Sequence, residues 1–467
     1  MVVGEVASFS EVLVIGGGPG GYAAALRAAG HGRQVTLVEA DRIGGVCLNV
    51  GCIPSKVLIH AAEIAGLCGE AAAAGVDLVA RPNLPRIRAR MEDAVSRLTG
   101  GVEQLLAHAK VERMRGRARF VRENRVAVVD GDQIRHVEFE QAIVATGSRP
   151  AALQALPFDG VRVLDSTAAL ALEKVPETLA IVGGGYIGVE LGTAFAKLGA
   201  EVTIVEALDR LLPQMEAALG HAVKRRLEEL GVRVLLRARA EELTEQSLLV
   251  QLAPDSDSGS RPELADRLEV AAEAILVATG RLPNTADLGL EVMGVVLDAG
   301  GRVVVDPARR AARRVLAVGD VTAGPALAHK AIAEAGVAAA TAAGKRAAFD
   351  PAAIPQIVFC DPEIASVGMT RDQAEAEVGD DVKSFRFPLA ASGRAQTIGP
   401  AVPGHVEIVA DPTGVVLGVH LAGPRVSELA GEAALAIEMG ATLEDLALTI
   451  HPHPTFSEAL AESAWGA

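Results

Sequence analysis

The chain has 467 residues, half of them apolar, with 49 glycines, few aromatic side chains and a formal net charge of −15. That length exceeds what one hydrophobic core serves and predicts two to four domains; the composition excludes a disordered chain, and the acidic balance excludes nucleic acid and anionic membrane as partners. Four cysteines in so long a chain fit a reducing compartment, read as the cytoplasm, rather than a disulfide scaffold; no uninterrupted apolar run is long enough to span a bilayer, and Glu5 and Glu11 stand where a signal peptide would be basic.

Residues 12–40 read as an apolar strand, a glycine turn, an Ala-rich helix and a second strand closing on Glu39. Within the turn, Gly16-x-Gly18-x-x-Gly21 has the spacing of a dinucleotide fingerprint. Its first glycine makes a tight turn, its second lets backbone N–H groups approach a pyrophosphate, and its third lets the helix pack closely. Glu39 is placed to accept ribose hydroxyls. A plain glycine-rich turn is the bland alternative, and strand, helix and acid together outweigh it.

Cys47 and Cys52 follow a few residues later, in a segment running from Gly44 to Lys56. In a regular helix residues five apart lie about 8–9 Å apart at Cα, whereas a disulfide needs about 7 Å or less. A bridge would therefore need the backbone to leave the helix there. Pro54 suits a first helical turn, which puts Cys52 near a helix N-terminus, a place that favours the thiolate. Spacing alone leaves two readings open, a redox pair and two inert buried thiols; the adjoining nucleotide signature favours the first. Cys360 reads as core filler.

Further along, residues 142–147 and 274–280 are apolar strands that each end in Ala-Thr-Gly, at Gly147 and Gly280. Between them, residues 179–207 repeat the first unit: Gly183, Gly185, Gly188 and Glu206 fall at the same spacing as Gly16, Gly18, Gly21 and Glu39. Here the acid selects the cofactor, since a carboxylate at the ribose favours a free 2′-OH and repels a 2′-phosphate. The second nucleotide is expected to be NAD. Residues 254–262 read as a loop or hairpin tip. An Ala-rich helix is predicted near 326–343, and beyond Pro351 strands at 406–410 and 415–421 and helices at 427–439 and 455–463 suggest a separate α+β domain. Residues Thr455 to Glu458 also fit a capping box, in which Glu458 closes a helix start.

Two dinucleotide fingerprints and a dithiol imply an electron relay, and at this point the chain resembles the pyridine-nucleotide disulfide oxidoreductases, most of all their dihydrolipoyl dehydrogenase branch. The resemblance runs from about residue 11 to about residue 460 and rests on the cysteine segment, both fingerprints, Val318-Gly319-Asp320, Leu327-Ala328-His329-Lys330, the stretch from Asp361 to Gly368, and the stretch from His451 to Glu458. It implies an α/β fold with two Rossmann-like dinucleotide-binding domains plus a C-terminal α+β dimerisation domain. The expected divisions are 1–150 and 281–350 for FAD, 151–280 for NAD, and 351–467 for the interface.

The same resemblance implies roles. Gly16, Gly18, Gly21, Glu39, Gly147, Asp320 and Ala328 would hold FAD, with Asp320 on the ribityl chain. Lys56 would lie near the flavin and pair with Glu190; an ordinary solvated lysine is the alternative. Gly183, Gly185, Gly188, Glu190, Glu206 and Gly280 would serve NAD, and Tyr186 takes the variable place beside the nicotinamide pocket. Cys47 and Cys52 would form the redox disulfide, and His453 and Glu458 the acid–base dyad, while His451 would be a structural or flavin-side neighbour. No metal is expected. Partners would be a second copy in a homodimer and a lipoyl-bearing acyltransferase or glycine-cleavage carrier protein on another chain, since no lipoyl domain precedes residue 11. Gly188 and Glu206 oppose the NADP-using glutathione reductase branch, the cysteine-free tail opposes mercuric reductases, and the redox pair opposes soluble transhydrogenases. A rival of another class, a nucleotide-binding redox sensor that does not turn over, leaves the acid–base residues unused.

Overall fold

Alternation along the strand Ser8–Ile15 builds the first sheet. Val12 and Val14 turn to one side, against the Ala-rich helices Pro19–Gly30 and Ala328–Ala342. Leu13 and Ile15 turn to the other, against Phe120, Phe139 and Val128. Period-two burial of both sets is what a strand covered on both faces requires. The small side chains of the two helices let them lie close to the sheet and to each other.

The protein is described here by a computed structural model covering residues 7–253, 267–399 and 402–466; the predicted tip at 254–262 lies outside these. The chain divides into two compact units, one comprising Met1–Ser55, Arg88–Ala151 and Arg281–Asp350, the other Lys56–Ile87, Ala152–Gly280 and Pro351–Ala467. In the first, parallel strands run in the order Val315–Ala317, Gln133–Val144, Ser8–Ile15, Val35–Glu39, Glu112–Arg115. The segments Ser148–Pro150 and Arg281–Pro283 pair as an antiparallel ribbon.

The second unit holds a parallel sheet in the order Arg233–Leu235, Glu201–Val205, Thr178–Val182, Ala274–Val277, Val163–Leu164. It also holds an antiparallel sheet, ordered Gln356–Val358, Glu363–Gly368, Val416–Gly423, His405–Ala410, Lys383–Pro388. The helices Ala430–Glu438 and Glu458–Trp465 cover the core of that sheet. The α/β class expected from the sequence, with two nucleotide-type sheets and a C-terminal α+β part, is what the chain forms.

The repeat shows in the local structure of the two turns. Helices Pro19–Gly30 and Tyr186–Lys197 each have 12 residues and begin one residue after the second fingerprint glycine. Among the described residues one stretch, Gly45–Gly69, is by length and composition apolar enough to cross a membrane, which the sequence reading did not anticipate. It spans the helices Gly45–Val50 and Cys52–Gly66 and the start of Cys68–Ala71, broken at Gly51 and Leu67, and carries Lys56 within it. One such stretch is weak evidence for a span.

Candidate active site

The first turn shows why glycine is needed. Gly16 has φ +103°, and a Cβ there would run into the carbonyl of Ala145; Gly21 would meet the carbonyl of Gly16. Gly18 caps the helix Pro19–Gly30 in extended conformation with no side chain closing the helix start. The first-turn N–H groups are thus left for a ligand, and anions favour such a terminus. Glu39 accepts from Gly17 N–H at 2.5 Å and from Asp41 N–H at 2.8 Å, which fixes its carboxylate beside the turn and leaves lone pairs for hydroxyls. A cleft of about 440 Å³ opens here, lined by Leu37, Glu39, Asp41, Arg42, Ile43 and Arg113 among others. Cleft, open helix start and anchored carboxylate fit a dinucleotide.

Gly147 follows the strand Gln133–Val144 with φ +68°. Asp320 lies in the short turn Gly319–Val321, and its carboxylate accepts from Ser148 Oγ at 2.5 Å. Arg281 Nε in turn donates to Ser148 Oγ at 2.7 Å. Ala328 opens the helix Ala328–Ala342, again without a side-chain cap.

The second turn repeats the first in the other unit. Gly183 has φ +114° and would strike the Ala278 carbonyl if it carried a Cβ, and Gly188 would strike Gly183. Gly185 caps its helix in extended conformation, also with no side-chain bond. Glu206, buried, accepts from Gly184 N–H at 2.6 Å and Leu208 N–H at 2.8 Å. Gly280 has φ +152°, and Tyr186, the first helical residue, is exposed.

Cys47 sits in the helix Gly45–Val50 and is half-buried; Cys52 opens the next helix and is exposed. Asn49 pins the shorter helix through Nδ2, to Ile43 O at 3.0 Å and Gly45 O at 2.9 Å. Gly51 separates the two helices, and a Cβ there would lie 2.9 Å from the Val46 carbonyl oxygen. Burial pushes the Tyr22 hydroxyl pKa up, and the charge of a Cys47 thiolate adds to the rise.

In the second unit Lys56 Nζ meets both Glu190 oxygens, at 3.0 and 2.8 Å, and stands 4.7 Å over the ring of Phe359. Glu190 also accepts from Phe359 N–H at 2.9 Å. Cys360, next in the chain, is buried, with a thiol pKa that burial raises well above normal.

His453 Nδ1 lies 2.7 Å from Glu458 Oε1, while Glu458 Oε2 accepts from Thr455 N–H at 2.8 Å. The carboxylate therefore performs half of the capping box and holds the imidazole at the same time. The other half is not made: Thr455 Oγ1 donates to Pro452 O at 2.7 Å. Glu458 is held below the usual carboxylate range, first by the Thr455 N–H and then by His453. The His453 side chain is 74% exposed. The His451 side chain is buried instead, 2.8 Å from Glu432 and 2.9 Å from Thr449 O. Sequence reasoning missed Ser148, Glu334 and Glu432. Only Glu334 left a signal, a charge four residues after Lys330 in an otherwise Ala-rich helix.

Known proteins match the chain over nearly its whole length. Residues 10–335 match the family model for pyridine nucleotide-disulphide oxidoreductases, and residues 354–464 match that family's dimerisation domain. The chain is similar to dihydrolipoyl dehydrogenase 2 of Haloarcula marismortui, with 48% identity covering 99% of this chain and 98% of the relative. It is also similar to dihydrolipoyl dehydrogenase of Geobacillus stearothermophilus, with 43% identity over 99% and 97%. Among solved structures, LpdA of Mycobacterium tuberculosis superposes with a TM-score of 0.86 at 29% identity, covering 98% of this chain and 99% of that one. The copper complex of the flavoprotein disulfide reductase RclA of Escherichia coli does so with 0.84 at 28% identity, covering 98% and 99%. With FAD and NAD(H) as its cofactors, the chain is an oxidoreductase and belongs to the pyridine nucleotide-disulphide oxidoreductase family.

Proposed function

We propose that the protein oxidises dihydrolipoyl groups carried on another polypeptide, with NAD+ as final acceptor, as a homodimer in the cytoplasm. The observation that carries this is the Glu458 carboxylate divided between His453 Nδ1 and Thr455 N–H. With Nδ1 so engaged, Nε2 is the nitrogen that takes a thiol proton, and the carboxylate stabilises the imidazolium that results. The substrate thiolate attacks Cys47 of a Cys47–Cys52 disulfide, and Cys52 leaves as thiolate at its helix start. In balance, the dithiol loses two electrons and two protons, NAD+ gains a hydride, and one proton is released. FAD, when bound, supplies the two-electron carrier between thiols and nicotinamide.

Gly16, Gly18, Gly21, Glu39, Gly147, Asp320 and Ala328 would hold FAD; Gly183, Gly185, Gly188, Glu206 and Gly280 would hold NAD. Lys56 and Glu190 would set the charge near the flavin. Residues 1–150 with 281–350, 151–280 and 351–467 are read as the FAD, NAD and interface domains. The lipoyl carrier would be an acyltransferase or a glycine-cleavage carrier protein.

NADH formation from free dihydrolipoamide tests the reading. Its absence, in yellow protein that reduces another disulfide, would assign a different thiol substrate. Mixed dimers test the shared site. A Cys52→Ser chain and a His453→Gln chain, each nearly inactive alone, should regain activity at about a quarter of sites if each site draws on both chains of a two-fold dimer. No recovery in verified heterodimers rejects sharing.

A further inference from the structure

A carboxylate with no exposure at all lies behind the turn that carries Asp320. Glu334 is fully buried in the helix Ala328–Ala342. One of its oxygens accepts from Gly319 N–H at 2.5 Å. The other lies 3.0 Å from Lys330 Nζ and 3.0 Å from an Arg309 guanidinium nitrogen. Lys330, itself buried, also donates to Gly319 O at 3.2 Å and to Thr322 Oγ1 at 3.1 Å. Thr322 Oγ1 donates to Gly319 O at 2.8 Å. Both backbone polar groups of Gly319 are thereby bound, and Gly319 is kept at φ +80°.

Burying these charges is costly, and apolar packing of equal volume is often as stable. What apolar packing cannot do is hold the Gly319 N–H. The Asp320 carboxylate is fixed separately, through Ser148. The turn is thus gripped from the helix side by Glu334 and from the strand side by Ser148.

We infer that Glu334 is a positioning residue for FAD: it fixes the Gly319–Val321 turn, and with it the reach of Asp320 to the ribityl chain. This rests on the reading of Asp320 as an FAD contact. Failure of that reading shows separately, because Asp320→Asn would then leave FAD affinity at the wild-type value.

Two double variants distinguish the acceptor from the charge. Lys330→Met with Glu334→Gln removes both charges and keeps a carbonyl for Gly319 N–H. Lys330→Met with Glu334→Leu removes the acceptor as well. FAD is titrated into each apoprotein by flavin fluorescence, with folding followed by circular dichroism and NADH binding as an independent control. The Gln variant should stay within about threefold of wild-type FAD affinity, and the Leu variant should bind at least about tenfold more weakly, the size expected for one orphaned buried donor. Equal FAD affinity in the two variants overturns the inference. If either fails to fold, Glu334→Asp decides, since it keeps the charge and shortens the reach by a methylene. Release of FAD from its holoprotein several-fold faster than wild type supports the role, and an unchanged rate overturns it.

Discussion

The ammonium of Lys56 and the carboxylate of Glu190 meet in a two-oxygen ion pair at 3.0 and 2.8 Å, and Glu190 at the same time accepts the Phe359 N–H. A buried carboxylate with three hydrogen bonds from two donors ties three distant parts of the second unit together. Glu190→Leu leaves the Phe359 N–H without an acceptor and Lys56 without its counter-charge. We expect this variant to lose about 1–3 kcal/mol, the cost of an orphaned buried donor, and Lys56→Met to lose less. Thermal melts of the two single variants and the double variant measure this. Additivity of the two changes would show that the pair is not coupled.

Glu206 does two jobs, and the choice of variant must separate them. Its carboxylate holds Gly184 N–H and Leu208 N–H, so Glu206→Ala would loosen the turn as well as remove charge. Glu206→Gln keeps an acceptor and removes the repulsion toward a 2′-phosphate. Wild type should prefer NAD+ to NADP+ in kcat/KM, and Glu206→Gln should narrow the gap by about tenfold. Equal use of both cofactors by wild type would reject the ribose argument.

His453→Gln should lower turnover by a factor of about 10²–10⁴, the usual loss when a general base is removed. Its melting temperature should not move, because the side chain is 74% exposed and packs on little. Glu458→Gln should also lower turnover and should destabilise the helix start, since the Thr455 N–H depends on the same carboxylate. A His453→Gln variant that melts early would point to a structural role.

His405 should make the C-terminal sheet acid-sensitive. Burial first, and the Arg386 charge second, push its pKa down from 6.5 to about 4. The folded chain therefore keeps His405 neutral where the unfolded chain takes up a proton. Stability is lost as pH falls from 6.5 towards 4, and the loss is complete below the folded value. A shift of that size corresponds to up to about 3 kcal/mol. His405→Asn should flatten the fall of melting temperature over this range; a parallel fall in both proteins would place the acid sensitivity elsewhere.

Much of this was legible in the sequence because the signals were local. The two glycine fingerprints carry their own sterics, and both helices begin where the spacing puts them. The helix is interrupted at Gly51, between Cys47 and Cys52, which a bridge between the two would require. Long-range partners were not legible: nothing near Glu334 in the chain names Gly319 or Arg309 as its contacts. Helix ends also shifted. The helix expected at 427–439 is Ala430–Glu438, preceded by a 3₁₀ turn at Val426–Leu429. The one expected at 455–463 is Glu458–Trp465, because Glu458 reaches back to Thr455 from inside the helix.

The matched turns have a practical consequence. A methyl group at Gly16 strikes the Ala145 carbonyl, and one at Gly183 strikes the Ala278 carbonyl, so the same lesion can be delivered to either nucleotide in one polypeptide. Each turn then serves as the internal control for the other. Gly16→Ala bears on colour and Gly183→Ala on coenzyme exchange, and a defect common to both belongs to the chain rather than to a nucleotide.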